Sequence, residues 1–364
     1  MSANDPVVPG LASARQRERA ESLLVTAYRS GITDAKELAN FMGQTQHESQ
    51  NFSRLEENLN YRGSVLWDTF KGGGRVLPRN GLTEKEAGEL AAIEDPQQRR
   101  QAIANKIYGG EWGAAALGNT EPDDGYKYRG RGYIQLTGRD NYADYQRKTG
   151  LDLVNQPELA ANPGNAETLA VQYWKDNVQP KTSDRGSVTD AGSIINTGRV
   201  GRAVKGLEDR QSNATAWTAA LDKGYLQDAL YRHPEALSQL NDTSRELLRD
   251  SERHVRSLAH KHKLPWDRGM DNTVFVIAQQ AREHGMTNIT HLKVVDGQIQ
   301  FAQQAKGEPL RESQIDAKAA ANTDVNQSVT RMVHADQAPA RGATPAVAVA
   351  VAERAQVSEP ALAH

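Results

Sequence analysis

From Leu11 to about Pro180, apolar residues recur every three or four positions between glycine-rich interruptions, a pattern that predicts a mainly helical region. Ala35, Leu38, Ala39 and Met42 fall at i, i+3, i+4 and i+7, one face of a helix. Asp34, with Glu37 three residues later, resembles a capping box opening that helix. The helix is expected to run out near His47–Glu48, because Ser49, Gln50 and Asn51 are poor helix formers. Further helices are predicted over 84–106 and 165–178. Between them, Tyr108 to Tyr145 is rich in glycine and tyrosine and too irregular for one element.

The pattern changes around 225–245. A helix is predicted over 241–263, then a break at Pro265, then a helix from Asp271 to His284 that stops at Gly285. Ile289–Val295 and Gln298–Phe301 are β-prone runs around Asp296–Gly297, a hairpin signal. From about residue 315 the chain is rich in Ala, Gln and Pro and contains AVAVAVA at 346–352, which reads as a disordered tail. Residues 1–10, polar with two prolines, read as a disordered leader.

Composition narrows the chemistry. The 364 residues carry 44 Lys and Arg against 46 Asp and Glu, a formal net charge of −2, which argues against a dedicated nucleic-acid or membrane-surface binder. The absence of cysteine removes disulfide scaffolds, cysteine nucleophiles and Cys-ligated metal sites. No run approaches 18 apolar residues, so no transmembrane helix is expected, and the first residues lack a basic region followed by an apolar one, so no Sec-type signal is expected.

The segment Phe41 to Tyr61, FMGQTQHESQNFSRLEENLNY, sets Glu48 at the end of a patterned helix and Glu56 and Glu57 in a polar loop. Cleaving a glycosidic bond needs two carboxylates in different environments, one to protonate the leaving oxygen and one to activate water or attack. Glu48, beside His47 and an apolar stripe, suits the first role, and Glu57 the second; the same glutamates also read as ordinary surface charges. A zinc motif H-E-x-x-H fails because position 51 is Asn51. His254, His260 and His262 read as a solvated helix face rather than a metal site. In YKYRGRGYIQLTGRDNY, Tyr126 to Tyr142, hydroxyls, amides and aromatic faces gather between glycine turns, a combination that suits sugars better than RNA in a chain without excess positive charge.

These stretches resemble glycoside hydrolase family 19, the chitinase and lysozyme-like family, in its bacterial and phage branch. The matching residues are QTQHES at 44–49, EENLNY at 56–61, YRGRGYIQLTGRDNY at 128–142 and IINTGRVG at 194–201, with Thr197 where glycine is commoner. The resemblance implies a mainly α, two-lobed lysozyme-like helical catalytic domain over 11–228 that uses no cofactor and no metal. It implies Glu48 as general acid and Glu57 as general base, with Glu56 the lesser candidate, and Thr137 as the hydroxyl that helps hold the attacking water. It also implies His47, Tyr133, Gln135, Asn141 and Asn196 as substrate-binding residues lining one cleft. An inverting mechanism follows, with carboxylates about 6.5–9.5 Å apart. Glu111, Glu121, Asp123 and Asp124, in a segment that looks longer than in compact members, are read as a solvated loop.

Residues 229–315 resemble the conserved C-terminal domain of Xanthomonadales type IV secretion effectors, a small α+β domain with a β-hairpin, followed by the 316–364 tail. In that family the domain is a secretion signal read by the coupling ATPase of the export apparatus. Together the two resemblances imply an antibacterial effector that cuts β-1,4 bonds of peptidoglycan in the periplasm of rival cells, and whose producer carries a periplasmic immunity protein. A phage-type endolysin, a chitinase, or an idle glycan-binding protein are the rival readings.

Overall fold

The structure is a computed structural model that describes residues 8, 10–71, 79–304 and 309–337. Helices dominate, and most open on a cap legible in the sequence. Ser13 and Gln16 form a reciprocal capping box on helix Ala14–Arg29, and Thr83 and Glu86 form another on Glu84–Ala91. Helix Ala35–Glu48 opens on Asp34, whose side chain accepts from the Glu37 N–H. The reciprocal half of the expected capping box is absent. The Glu37 carboxylate turns inward and accepts from Trp174 Nε1 at 2.9 Å and Gln179 Nε2 at 2.7 Å; burial of Trp174 leaves its indole N–H in need of an acceptor.

The expected helix over 84–106 is two helices, Glu84–Ala91 and Pro96–Tyr108. Pro96 disfavours helical backbone at Asp95, which serves instead as N-cap of the second helix. Helix Pro163–Tyr173 passes into a π-helical turn, Trp174–Val178.

Up to Arg232 the chain builds three apolar clusters. The largest gathers Leu23, Leu24, Phe41, Met42, Phe52, Trp174 and Trp217. Within it, helix Ala35–Glu48 lies against helix Leu207–Asp222 so closely that a Cβ on Gly43 would come within 2.7 Å of the Ala214 backbone nitrogen. A second cluster, around Leu59, Leu66, Ile103 and Ile107, is covered by helices Gly63–Phe70, Glu84–Ala91 and Pro96–Tyr108. A third, around Tyr128, Leu136, Tyr142 and Leu153, underlies helix Arg139–Thr149.

The C-terminal part pairs helices Asp242–Lys261 and Arg268–Glu283 with an antiparallel sheet of order β1-β2-β3, formed by β1 His291–Val295, β2 Gln298–Gln303 and β3 Arg311–Asp316. Asp296 and Gly297 both have positive φ, as a two-residue hairpin of primed type requires, and Val295 pairs with Gln298 across the turn. Ile299 and Phe301 of β2 enter the core while Gln298 and Gln300 point outward.

The tail predicted from residue 316 is corrected by the structure. Helices Ala317–Ala321 and Val325–Gln337 follow β3 directly, and Val325, Val329, Met332 and Val333 are buried in the C-terminal core. Four apolar residues on one helical face bury enough surface to fix this segment despite its Ala- and Gln-rich surroundings. The AVAVAVA run lies outside the described residues. So does most of the expected leader, of which Val8 and Gly10 are described, Val8 being buried in the largest cluster. Arg232 joins the two parts: it donates to the buried Glu21 carboxylate and sits 3.5 Å from Asp271.

Candidate active site

Glu48 ends its helix with its side chain 30% exposed, and its Oε1 accepts from Arg210 Nη2 at 2.5 Å. Arg210 itself is 1% exposed. Its Nη1 donates to Gln44 Oε1 at 2.6 Å and its Nε to the Lys205 carbonyl at 3.0 Å, so the guanidinium is held on three sides. One turn of helix separates Gln44 from Glu48, which is why both face the same arginine. Only Oε1 of Glu48 is engaged among the described residues. Tyr173 lies alongside: burial, and then the charge of Glu48, push its phenol up.

His47 neighbours Glu48 and meets Asp209, Nδ1 to Oδ2, at 2.6 Å. Gly206, with φ +71°, is pressed against the imidazole so that a Cβ there would lie 2.3 Å from His47 Cε1. Asn196 sits on the same side. Its Oδ1 accepts from the Lys205 N–H at 2.8 Å, which ties the 196–206 loop to the arginine that holds Glu48.

After Glu48 the chain reverses through Gln50, Asn51 and Phe52, all in the left-handed region. Arg19 pins this turn by donating to the carbonyls of Phe52 and Ser53, both at 3.0 Å. The chain then runs alongside residues 130–132: Gly132 N–H donates to Leu55 O at 2.8 Å, and Glu57 N–H to Gly130 O at 2.9 Å.

This pairing sorts the two adjacent glutamates. Glu56 Oε1 accepts from Arg129 Nη2 at 2.6 Å and Arg131 Nε at 3.0 Å, so it is consumed in holding the arginines of the RGRG segment. Arg131 is buried and also donates to Tyr142. Both arginines face inward, and Arg129 lies over the Tyr126 ring, 4.1 Å from its centroid.

Glu57 points the other way. Its Oε1 accepts from the Tyr108 hydroxyl at 2.7 Å. Its Oε2 faces Gly130 together with Gln135 and Thr137: a Cβ on Gly130 would lie 2.8 Å from Gln135 Oε1 and 3.4 Å from both Glu57 Oε2 and Thr137 Oγ1. A carboxylate, a hydroxyl and an amide thus converge on a backbone carbon that leaves room between them. Thr137 is oriented by its bond to the Gln135 carbonyl, 2.8 Å, and Gln135 adopts φ +51° to make that turn. Asn141 Nδ2 donates to the Thr137 carbonyl at 2.7 Å, closing the first turn of helix Arg139–Thr149.

Tyr133, expected among the cleft residues, is corrected. It is 0% exposed, packed edge-on against Phe52 at 6.1 Å between ring centroids, and part of the largest core cluster. Its ring fills the space beneath the left-handed turn, so it supports the segment bearing Glu57 from below.

Of the acids read as a loop, Asp123 accepts from Gln101 and Asn105, and Asp124 is buried against Arg139 at 3.0 Å. Both hold the fold. His254 bonds through Nε2 to the Ile289 carbonyl, an architectural role. Among the described residues, no group of three His, Asp or Glu side chains is placed to hold a metal ion, and no helix is long and apolar enough to cross a membrane.

Comparison with known proteins divides the chain in two. The family profile described as Chitinase class I matches residues 107–199, and the profile described as X-Tfes, XVIPCD matches residues 241–334. The first covers Gln135, Thr137, Asn141 and Asn196; Glu48 and Glu57 precede it. A glycosyl hydrolase family 19 domain-containing protein of Haemophilus influenzae is 37% identical over 148 residues, 40% of this chain and 65% of the relative. An endochitinase of Arabidopsis thaliana is 29% identical over 166 residues, 44% of this chain and 58% of the relative. Chitinase 11 of Oryza sativa is 38% identical over 150 residues, 37% of this chain and 58% of the relative. The chain therefore spans less than two thirds of the length of each of these three relatives.

Proposed function

Because this chain joins a glycoside hydrolase family 19 region to an X-Tfes XVIPCD region, we propose that it is an antibacterial effector that hydrolyses the β-1,4 glycosidic bonds of peptidoglycan. The observation that carries the enzymatic half is the convergence of Glu57, Thr137 and Gln135 on Gly130, with Glu48 held by a buried arginine at the start of the same segment. Glu48 protonates the leaving oxygen. Glu57, steadied through Oε1 by Tyr108, takes a proton from water that Thr137 and Gln135 orient above Gly130. His47, Asn141 and Asn196 bind the sugars on either side of the scissile bond. The C-terminal region marks the protein for a type IV coupling ATPase, and it acts in the periplasm of the recipient, where the producer's siblings are protected by an immunity protein.

The plant relatives, an endochitinase and Chitinase 11, favour a second reading, a chitinase, since chitin shares the β-1,4-linked N-acetylhexosamine backbone. Digestion of purified sacculi and of chitin oligomers, read by mass spectrometry, separates the two. Muropeptides with new reducing ends support the peptidoglycan reading; cleavage of chitin alone replaces it.

A further inference from the structure

Beyond Glu57 the chain enters an open groove of about 550 Å³ lined by Asn60, Tyr61, Arg62 and Arg99. Its floor is the crossing of helices Gly63–Phe70 and Glu84–Ala91, where a Cβ on Gly63 would lie 2.9 Å from Gly88 Cα. Leu59 is fully buried in the second cluster, so the groove keeps a fixed position relative to Glu57, two residues before it. Tyr61 belongs to both places: its ring packs edge-on against Phe70, and the charge of Glu57 helps push its phenol up, after burial.

The charges in this groove are unbalanced. The arginines of the neighbouring site are each matched by a carboxylate: Arg129 and Arg131 by Glu56, Arg210 by Glu48, Arg139 by Asp124. Arg62 and Arg99 form no ion pair among the described residues. Arg99 is nevertheless held in place, since Nη1 donates to the Ile93 carbonyl at 2.8 Å. Two guanidinium groups, an amide and an aromatic face thus line one depression beside the residue assigned to activate water. Guanidinium groups bind carboxylates through paired N–H donors, and an aromatic face takes the alkyl part of the same ligand.

We infer that this groove is an anion subsite that receives a carboxylate of the peptide stems carried by peptidoglycan strands and absent from chitin. This rests on the glycan-cleaving reading above and adds to it a means of telling the two polymers apart. The subsite lies on the base side of the cleft, so a stem engaged there draws its sugar toward Glu57.

The test uses the full chain and the double variant Arg62→Gln/Arg99→Gln, with melting temperature as the check on folding. Glycan strands bearing stems are compared with the same strands stripped of peptide by an amidase. The variant should lose about tenfold in kcat/KM on stem-bearing strands, the scale of a lost charge-assisted hydrogen bond, and nothing on stripped strands. Equal loss on both substrates, or no loss on either, overturns the subsite. Titration with the free stem tetrapeptide, followed by NMR, gives a readout independent of hydrolysis. Binding weakened about tenfold in the variant supports the subsite, and tetrapeptide binding that is absent, or equal in both proteins, overturns it. Failure of the wild type to cut either glycan would defeat the enzymatic reading while the titration still decides the groove.

Discussion

Substituting Gly130→Ala inserts one methyl group where Glu57, Thr137 and Gln135 converge. Gly130 is not among the positive-φ residues, so alanine is accommodated without backbone strain. The new Cβ would stand 2.8 Å from Gln135 Oε1, which must retreat by several tenths of an ångström, and at ordinary contact, 3.4 Å, from Glu57 Oε2 and Thr137 Oγ1. Replacing glycine at a compatible site stabilises by about 0.4–1 kcal/mol through the unfolded chain. Displacing one amide from its rotamer costs about 0.5–1.5 kcal/mol. The two nearly cancel, so Tm should move by no more than about 2–4 °C. Activity should not survive as well, because the methyl occupies the space assigned to the attacking water. Loss of general-base assistance is worth about 10²–10⁴-fold in rate, and a fall of at least about 10²-fold in kcat is expected. The assay is reducing-end release from sacculi beside a thermal melt. A variant of unchanged Tm that hydrolyses at the wild-type rate would refute the water site.

Glu56→Gln should destabilise by about 2 kcal/mol, since breaking a buried pair costs about 3–5 kcal/mol and Glu56 is 47% exposed and screened. Tm should fall by roughly 4–8 °C with hydrolysis retained; lost activity at unchanged Tm would exchange the roles of Glu56 and Glu57. Met332→Ala, at a fully buried position, should cost about 2–5 kcal/mol in the C-terminal core, and a melt unaffected by it would show that helix Val325–Gln337 is not part of that core. Burial pushes the Asp271 carboxyl from 3.8 up to about 6, against the pull of Arg232 and the bond from Trp266. Its contribution to stability is therefore full below about pH 4 and lost as pH rises through about 6. Asp271→Asn should flatten the stability profile across that window, and an unaltered profile would contradict the assignment.

What the sequence revealed followed from how far apart the interacting residues lie. Asp34 was legible as an N-cap because its partner is three residues away. The partners of Glu37 are Trp174 and Gln179, and no local pattern announces them. Glu48 stands out in the sequence by its place at the end of a patterned helix and by the resemblance of QTQHES to a glycoside hydrolase motif. Arg210, 162 positions further on, carried no spacing signal, and the same holds for Asp209 beside His47. Tyr133 was misplaced because an aromatic residue among glycines can face either a cleft or a core; the left-handed turn at Gln50–Phe52 decided in favour of the core. The helix after β3 did have a signal. Val325, Val329, Met332 and Val333 repeat at i, i+4, i+7 and i+8, and composition masked it. The Asp296–Gly297 hairpin was read directly because a two-residue turn states its own geometry.

Glu48 as the proton donor is tested most directly by Glu48→Gln. Glutamine keeps an oxygen to accept from Arg210 but removes the charge opposite a guanidinium that is 1% exposed, so the fold is retained while Tm should fall by roughly 4–8 °C, as for Glu56→Gln. Release of reducing ends from purified sacculi, assayed well below the melting temperatures of both proteins, should fall by several orders of magnitude. A folded Glu48→Gln protein that hydrolyses like the wild type would contradict Glu48 as the proton donor.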